Sequence, residues 1–290
     1  MQVQSFGSFK VSTKTFIVHT NLSMKIDEIF YKEVLPISHY VVVQKKRGRK
    51  KKIQEQDPNK NLISGAIIRV QYKKEHQGVI LKAKSKGFFR NSITVVISVE
   101  DKLINFKASR NGKFQITGCK TDDQAEQCVL YFWSYIRERP DLYELNDVPY
   151  LKAYFEPVMY NIDFPLGFQI NRENLDIYIN THTPYTSLLE TTFGYTGVNI
   201  KMPITVLYKN VLIKYKEFNN HIKTGYIPYD ELILKFKPDD KNEIKYNTFL
   251  VFQSGKVIMS GKSHIFMRNA YYDFLKIIAD CSQVIREVIQ

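Results

Sequence analysis

Apolar and polar residues follow a strand-like pattern along most of the chain, and this changes to a helical pattern near the end of each half. Alternating runs typical of strands occupy residues 11–22, 103–107, 158–168 and 248–252. Apolar residues at three- and four-residue spacing predict two long amphipathic helices. One starts at Thr121, which forms a capping box with Gln124, and the other runs from about His264 to the C-terminus.

An internal repeat supports the division into halves. The segment N-G-K-F-Q-I-T-G at residues 111–118 matches S-G-K-V-I-M-S-G at residues 254–261, an offset of 143 residues. Glycine supplies the positive φ that tight hairpin turns need, so both segments are predicted to be hairpins. Short helices near residues 26–30 and 171–181 follow the first strand of each half, and Asn171 is the expected N-cap of the second.

This repeat predicts an α+β fold in which the long helices cover one face of an antiparallel sheet. Two equivalent halves would join into one continuous curved sheet, whose concave face must be polar or meet a partner. We expect the first repeat to span residues 1–140, a connector residues 141–152, and the second repeat residues 153–290.

Charge is distributed unevenly between the two parts of the chain. Residues 1–120 hold 24 Lys and Arg against 8 Asp and Glu, while the other 170 residues hold 18 against 21. Such asymmetry indicates a polyanionic partner, most often nucleic acid, although a solvated basic surface is the alternative. The composition, 44% hydrophobic and 24% charged, is that of a folded protein.

Composition and motif spacing argue against several classes of protein. Three cysteines without a C-x-x-C motif argue against a disulfide scaffold and a structural zinc, and suit a reducing compartment. No apolar stretch reaches 18 residues and the first residues do not resemble a signal peptide, so we expect an intracellular protein without a membrane span. The histidines lack metal-ligand spacing, and Gly261-Lys262-Ser263 lacks the first glycine of a P-loop.

Several segments, taken in order, resemble the TATA-box-binding protein family. The two hairpins are similar to its S-G-K turn and T-G-A-K strand end. Residues 65–70 and 197–202 resemble the G-L-I-x-R strand of its two halves, and residues 168–175 resemble the entry to the second short helix. The resemblance covers roughly 180 residues, and low similarity with insertions suggests a divergent member like those of large DNA viruses.

The resemblance implies a saddle that binds A·T-rich double-stranded promoter DNA in the minor groove and bends it. It further implies a transcription initiation factor that recruits a factor IIB-like protein and RNA polymerase. Such a protein is not an enzyme and needs no cofactor or metal. It would work in the nucleus or in a cytoplasmic viral replication compartment, and its oligomeric state is not predicted.

The family's wedge phenylalanines carry over only in part. Phe252 keeps one of them, Tyr195 and Ile63 replace two, and the fourth place falls near Ser109 unless an insertion brings Phe106 there. Thr13 and Met159 replace the family's groove asparagines, with Asn161 on the same strand face as Met159. The other residues that match groove or phosphate contacts of the family are Arg69, Thr117, Lys201, Leu250, Ile258 and Ser260.

Three segments extend beyond the family pattern. Residues 73–101 and 204–246 are expected insertions, whose alternating runs at 92–99, 206–215 and 232–236 predict added strands. Residues 44–60 are an expected loop that would bind phosphates flanking the site or act as a nuclear-import signal. The basic residues of this loop are Lys45, Lys46, Arg47, Arg49, Lys50, Lys51 and Lys52.

Two other functions remain open on the sequence. DNA glycosylases carry a domain of this sheet-and-helix type, but the helical domain they also need is missing here. The second alternative is an interaction or RNA-binding module that keeps the fold and has lost canonical TATA recognition, and the replaced wedge residues favour it.

Overall fold

The computed structural model describes residues 4–42, 58–59, 61–80, 88–190, 196–204, 211–219, 221–237 and 244–287. Its strands are β1 (Val11–Thr20), β2 (Leu22–Met24), β3 (Ile67–Tyr72), β4 (Glu75–Gly78), β5 (Ser92–Val99), β6 (Lys102–Ser109), β7 (Lys113–Cys119), β8 (Tyr143–Leu145), β9 (Leu151–Pro165), β10 (Thr186–Glu190), β11 (Gly197–Pro203), β12 (Leu212–Phe218), β13 (Ile222–Pro228), β14 (Tyr246–Phe252) and β15 (Lys256–Gly261). Its α-helices are α1 (Ile26–Tyr31), α2 (Asp122–Ile136), α3 (Arg172–His182), α4 (Tyr229–Phe236), α5 (His264–Asp280) and α6 (Ser282–Ile285).

The chain forms two compact units. The N-terminal unit comprises Phe16–Glu156 and Lys214–Tyr226, and the C-terminal unit comprises Met1–Thr15, Pro157–Ile213 and Ile227–Gln290. Both contain mainly antiparallel strands with a few helices, which confirms the predicted α+β fold.

In the N-terminal unit the strand order is β1-β7-β6-β5-β3-β4. Helices α1 and α2 pack against one face of this sheet. On that face Phe106, Phe114 and Phe132 are fully buried and meet edge to face or tilted, with ring centroids 5.3 to 6.0 Å apart. Burial of these aromatic side chains contributes to the stability of the unit together with the aliphatic core around them.

In the C-terminal unit the strand order is β9-β15-β14-β11-β10, and helices α3 and α5 pack against one face. Phe249 of β14 stacks on Phe274 of α5 with ring centroids 4.2 Å apart and planes at 11°. The same alternation along β14 buries Val251 and leaves Leu250 only half-buried on the opposite face. One sheet face is therefore covered by helices in each unit.

The two units share one topology. In each unit the hairpin strand that follows the glycine turn lies beside the first strand of that unit. On the side away from the hairpin partner, β6 pairs with β5 and β14 pairs with β11. The counterpart of residues 197–202 is therefore β5, inside the predicted insertion, and the predicted match of residues 65–70 to residues 197–202 is wrong.

All four predicted helices form, and the two caps predicted for them are present. The Thr121 hydroxyl accepts a hydrogen bond from the Gln124 N–H at 3.3 Å, and the Asn171 side chain accepts one from the Asn174 N–H at 3.0 Å. The predicted C-terminal helix is interrupted, because α5 ends at Asp280 and α6 restarts at Ser282.

The segment 204–246 adds a hairpin and a helix rather than strands alone. Strands β12 and β13 pair with each other, and β12 also pairs with β9. The prediction of a strand at residues 232–236 is wrong, because these residues lie in α4. Buried Tyr229, Leu232 and Ile233 have the i, i+3, i+4 spacing of a helix.

The hairpin is also held by charge. Lys214 and Lys216 of β12 both form ion pairs with Glu126, whose side chain on α2 is buried. A buried carboxylate without such partners would cost several kcal/mol, so these pairs keep the hairpin in place.

Among the described residues no helix is long and apolar enough to cross a bilayer.

Both turn glycines adopt the positive φ that the sequence predicts. Gly112 has φ 69° and Gly255 has φ 75°. A Cβ atom would overlap the carbonyl oxygen of Leu22 at Gly112 and that of Phe168 at Gly255. Each turn therefore packs against the chain that follows the first strand of its own unit. Both positions require glycine for two reasons, because there is no room for a Cβ atom and because φ is positive.

We predict that Gly255→Ala destabilises the protein by about 3 kcal/mol or more, because backbone strain and overlap with a carbonyl add together. Gly118→Ala is the matched control, since Gly118 has φ 89° but open space around its Cβ position. It should cost about 1 kcal/mol. Urea unfolding measures both values, and equal losses would contradict the packing role of Gly255.

Candidate nucleic-acid interface

The outer face is defined here as the side of each unit's sheet opposite its helices. In the C-terminal unit it carries the half-buried or exposed residues of each strand, which alternate with buried core residues. Asn199 and Lys201 represent β11 on this face, Leu250 and Phe252 represent β14, and Ile258 represents β15.

Strand register aligns these side chains in two rows across the sheet. The first row is Thr186, Lys201, Thr248, Ser260 and Asn161. The second row is Leu188, Asn199, Leu250, Ile258 and Asp163. Directly opposed residues in antiparallel strands lie about 4.5 to 5.5 Å apart, so each row is a contiguous strip.

The structure brings most of the predicted C-terminal site residues together. Lys201, Ser260 and Asn161 share the first row, Leu250 and Ile258 share the second, and Phe252 pairs with Gly197 at the end of β14. Thr13 lies in the part of β1 that belongs to this unit and is half-buried.

One hydrogen bond orients an amide on this face. The Ser260 hydroxyl donates to Oδ1 of Asn161 at 2.8 Å. With its oxygen occupied as an acceptor, the amide presents Nδ2 and its two hydrogens as donors. Such a donor suits the acceptor atoms of bases in a groove.

Two open hollows lie on the outer face. Phe252, Ile258, Asp163 and Thr196 line the first, which is at the hairpin end. The second is at the opposite end of β14 and is lined by Met159, Thr248, Ser260 and Tyr246. Both contain apolar side chains open to solvent, which is the kind of surface that meets a partner.

The outer face of the N-terminal unit is more polar. One row is Gln71, Thr94, Lys107 and Gln115, and the next is Arg69, Val96, Asn105 and Thr117. Asn105, Gln115 and Thr117 are exposed, whereas Val96 is buried. The Arg69 guanidinium donates to the Gln71 side chain at 2.7 Å.

The predicted N-terminal site residues are less well gathered. Arg69 and Thr117 share a row, and Ser109 ends β6 on the same face. Ile63, 74% exposed, lies in a loop outside the strands. The alternative that Phe106 supplies a wedge is wrong, because Phe106 is fully buried on the helix side.

An aromatic residue that the sequence analysis did not assign lies on this face. Phe89 is 59% exposed just before β5, and the Lys107 ammonium lies 3.6 Å from its ring centroid. Burial lowers the pKa of Lys107. The pair Phe88-Phe89 before a strand of alternating residues is the sequence signal for this position, and the expectation of an insertion at residues 73–101 obscures it.

Two predicted parts of the site lie outside the described residues. These are Tyr195 and the basic loop residues Lys45, Lys46, Arg47, Arg49, Lys50, Lys51 and Lys52.

In the described part of the chain, the buried ionisable groups include a histidine–carboxylate pair and free thiols. No group of three or more His, Cys, Asp or Glu side chains there could hold a metal ion. His19 Nε2 lies 3.2 Å from Glu156 Oε2, and both side chains are buried. Burial raises the pKa of the Cys281 thiol to about 11 and also raises that of Cys128, so both thiols stay protonated at neutral pH.

Comparison with known proteins gives the chain no assigned family. No protein-family model matches it. A protein of Invertebrate iridescent virus 6, described as "Uncharacterized protein 335L", is 28% identical over 222 residues. That match covers 68% of this chain and 62% of the viral protein, less than two thirds of its length. The solved structure of Methanococcus jannaschii TBP is similar in fold, with a TM-score of 0.47 and 13% identity over 94% of this chain and 98% of that one.

Proposed function

We propose that the chain is a non-catalytic factor that binds A·T-rich double-stranded DNA in the minor groove with its outer faces. The observation that carries the proposal is the first row of the C-terminal unit. It places the oriented amide of Asn161 and the ammonium of Lys201 on one strip. An amide donor matches the base acceptors of an A·T groove, and an ammonium matches a phosphate.

The neighbouring row supplies apolar contact. Leu250 and Ile258 are directly opposed and half-buried on the outer face. Minor-groove binders use such side chains against base edges and at unstacked base steps. Phe252 and Phe89 are the aromatic candidates for wedges, since each lies on the outer face of its unit beside an open hollow or a lysine.

Charge supports the same partner. Residues 1–120 contain 24 basic and 8 acidic residues, so the positive charge of the chain is concentrated there. In the described part, Arg69 and Lys107 bring this charge to the outer face of the N-terminal unit. Neutralising phosphates there would make binding depend steeply on salt.

The fuller role that the resemblance implies is part of the proposal. The chain would bend promoter DNA, recruit a factor IIB-like protein and RNA polymerase, and act in the nucleus or in a viral replication compartment. A second candidate is binding of single-stranded RNA, favoured by Phe89 above Lys107 on a polar sheet face. Aromatic stacking with a nearby cation is how such sheets hold unpaired bases.

We expect Ile258→Asp to weaken binding to an A·T-rich duplex by about tenfold or more, because a charge replaces an apolar contact against base acceptors. Ile265→Asp, at a 74% exposed position on α5, is the matched control and should bind normally. Fluorescence anisotropy measures affinity, and energy transfer across the end-labelled duplex measures bending. Equal affinities for the two variants, or tighter binding to single-stranded RNA, would contradict the duplex proposal.

Lys107 and Phe89 should contribute to duplex binding in different ways. We expect Lys107→Gln to weaken duplex binding and to reduce the slope of log affinity against log salt by about one, as the loss of one phosphate contact does. Phe89→Ala should weaken binding with the slope unchanged, because stacking releases no counterion. Anisotropy over a range of salt concentrations separates the two, and an unchanged slope in Lys107→Gln would count against the phosphate contact.

Recruitment is tested on the complete DNA complex. A factor IIB-like protein should retard the chain–DNA complex further on a native gel. In the control without the chain, the same protein should bind the duplex more weakly than it binds the complex. Absence of the slower band would leave DNA binding in place and refute the initiation role.

A further inference from the structure

A carboxylate occupies an unexpected place on the proposed groove-binding surface. Asp163 lies on β9 directly opposite Ile258, in the same row as Leu250 and Asn199. Its side chain is exposed and lines the hollow that also contains Phe252. It forms no hydrogen bond or ion pair with any described residue, and Lys256, which lines the same hollow, is not its ion-pair partner.

A carboxylate on this surface conflicts with an all-A·T groove. An ionised aspartate can only accept hydrogen bonds. The minor-groove edge of an A·T pair presents only acceptors, adenine N3 and thymine O2. Against such a pair the carboxylate would lose its water and gain no donor, which is costly for a charged group.

Guanine removes the conflict, because its 2-amino group is the only base donor in the minor groove. We propose that Asp163 selects a G·C pair at one position of the bound duplex by accepting a hydrogen bond from the guanine 2-amino group. This inference rests on the proposed minor-groove binding. It predicts that the preferred element is an A·T-rich tract with one G·C pair at the Phe252 end of the C-terminal unit's contact.

Asn161 supports a mixed element, because it has the opposite chemistry on the same strand. Ser260 occupies Oδ1 of its amide, so Asn161 offers donors where Asp163 offers acceptors. The two residues share a face and lie about 6.6 Å apart along the strand. The donor and the acceptors therefore occupy separate positions on the outer face.

The experiment uses duplexes in which one G·C pair is moved step by step through an A·T-rich tract. At the position bound most tightly, guanine is then replaced by inosine, which lacks the 2-amino group and is otherwise the same base. We expect the full chain to bind the inosine duplex about tenfold more weakly. Asp163→Ala should bind guanine and inosine duplexes equally, and Asp163→Asn should gain affinity for the all-A·T duplex.

Asp280→Ala is the matched control, because it removes an exposed carboxylate at the end of α5, on the helix side. It should keep the preference for guanine over inosine. If the unaltered chain binds duplex DNA but does not distinguish guanine from inosine, or if Asp163→Ala keeps the preference, the inference is overturned and the proposed function stands. If no duplex binds at all, the proposed function fails and the inference fails with it.

Discussion

In the described part of each unit, the helices pack against one face of the main sheet and leave the other face without a helix. Side chains alternate along a strand, so in β11, β14 and β15 this constraint separates core residues from outer-face residues. Along β14 it buries Phe249 and Val251 and leaves Leu250 and Phe252 on the outer face. The stacked ring of Phe274 on α5 stabilises the buried set, and the outer set is thereby placed where a partner can meet it.

The two units repeat this arrangement with different chemistry. Their strand orders and glycine turns correspond, and both turn glycines pack against a carbonyl of the chain that follows the first strand. Their outer faces do not match. Both faces carry amides and a lysine, but the N-terminal unit adds Arg69, whereas the C-terminal unit adds Leu250, Ile258 and the carboxylate of Asp163. Under the proposed function, this difference would suit an asymmetric DNA element.

The added hairpin changes the surface around α2 as well as the sheet. Lys214 and Lys216 reach the buried carboxylate of Glu126, so β12 is held both by backbone pairing to β9 and by charge. Separating these groups would leave a buried charge unpaired, which favours a hairpin that stays docked on its unit. The part of α2 around Glu126 is therefore covered by the chain itself.

Local pattern was enough to predict the α+β class, the capped helices α2 and α3, and the two glycine turns. All of these follow from periodicities of two or 3.6 residues and from backbone preferences that neighbours along the chain impose. Tertiary structure decided the rest. Pairing between strands is long-range, so only the fold shows that β5 is the counterpart of β11, that Phe106 faces the helices, and that Asp163 opposes Ile258. Residues 232–236 are apolar enough for either a strand or a helix, and it is the packing of α4 through Tyr229, Leu232 and Ile233 that selects the helix.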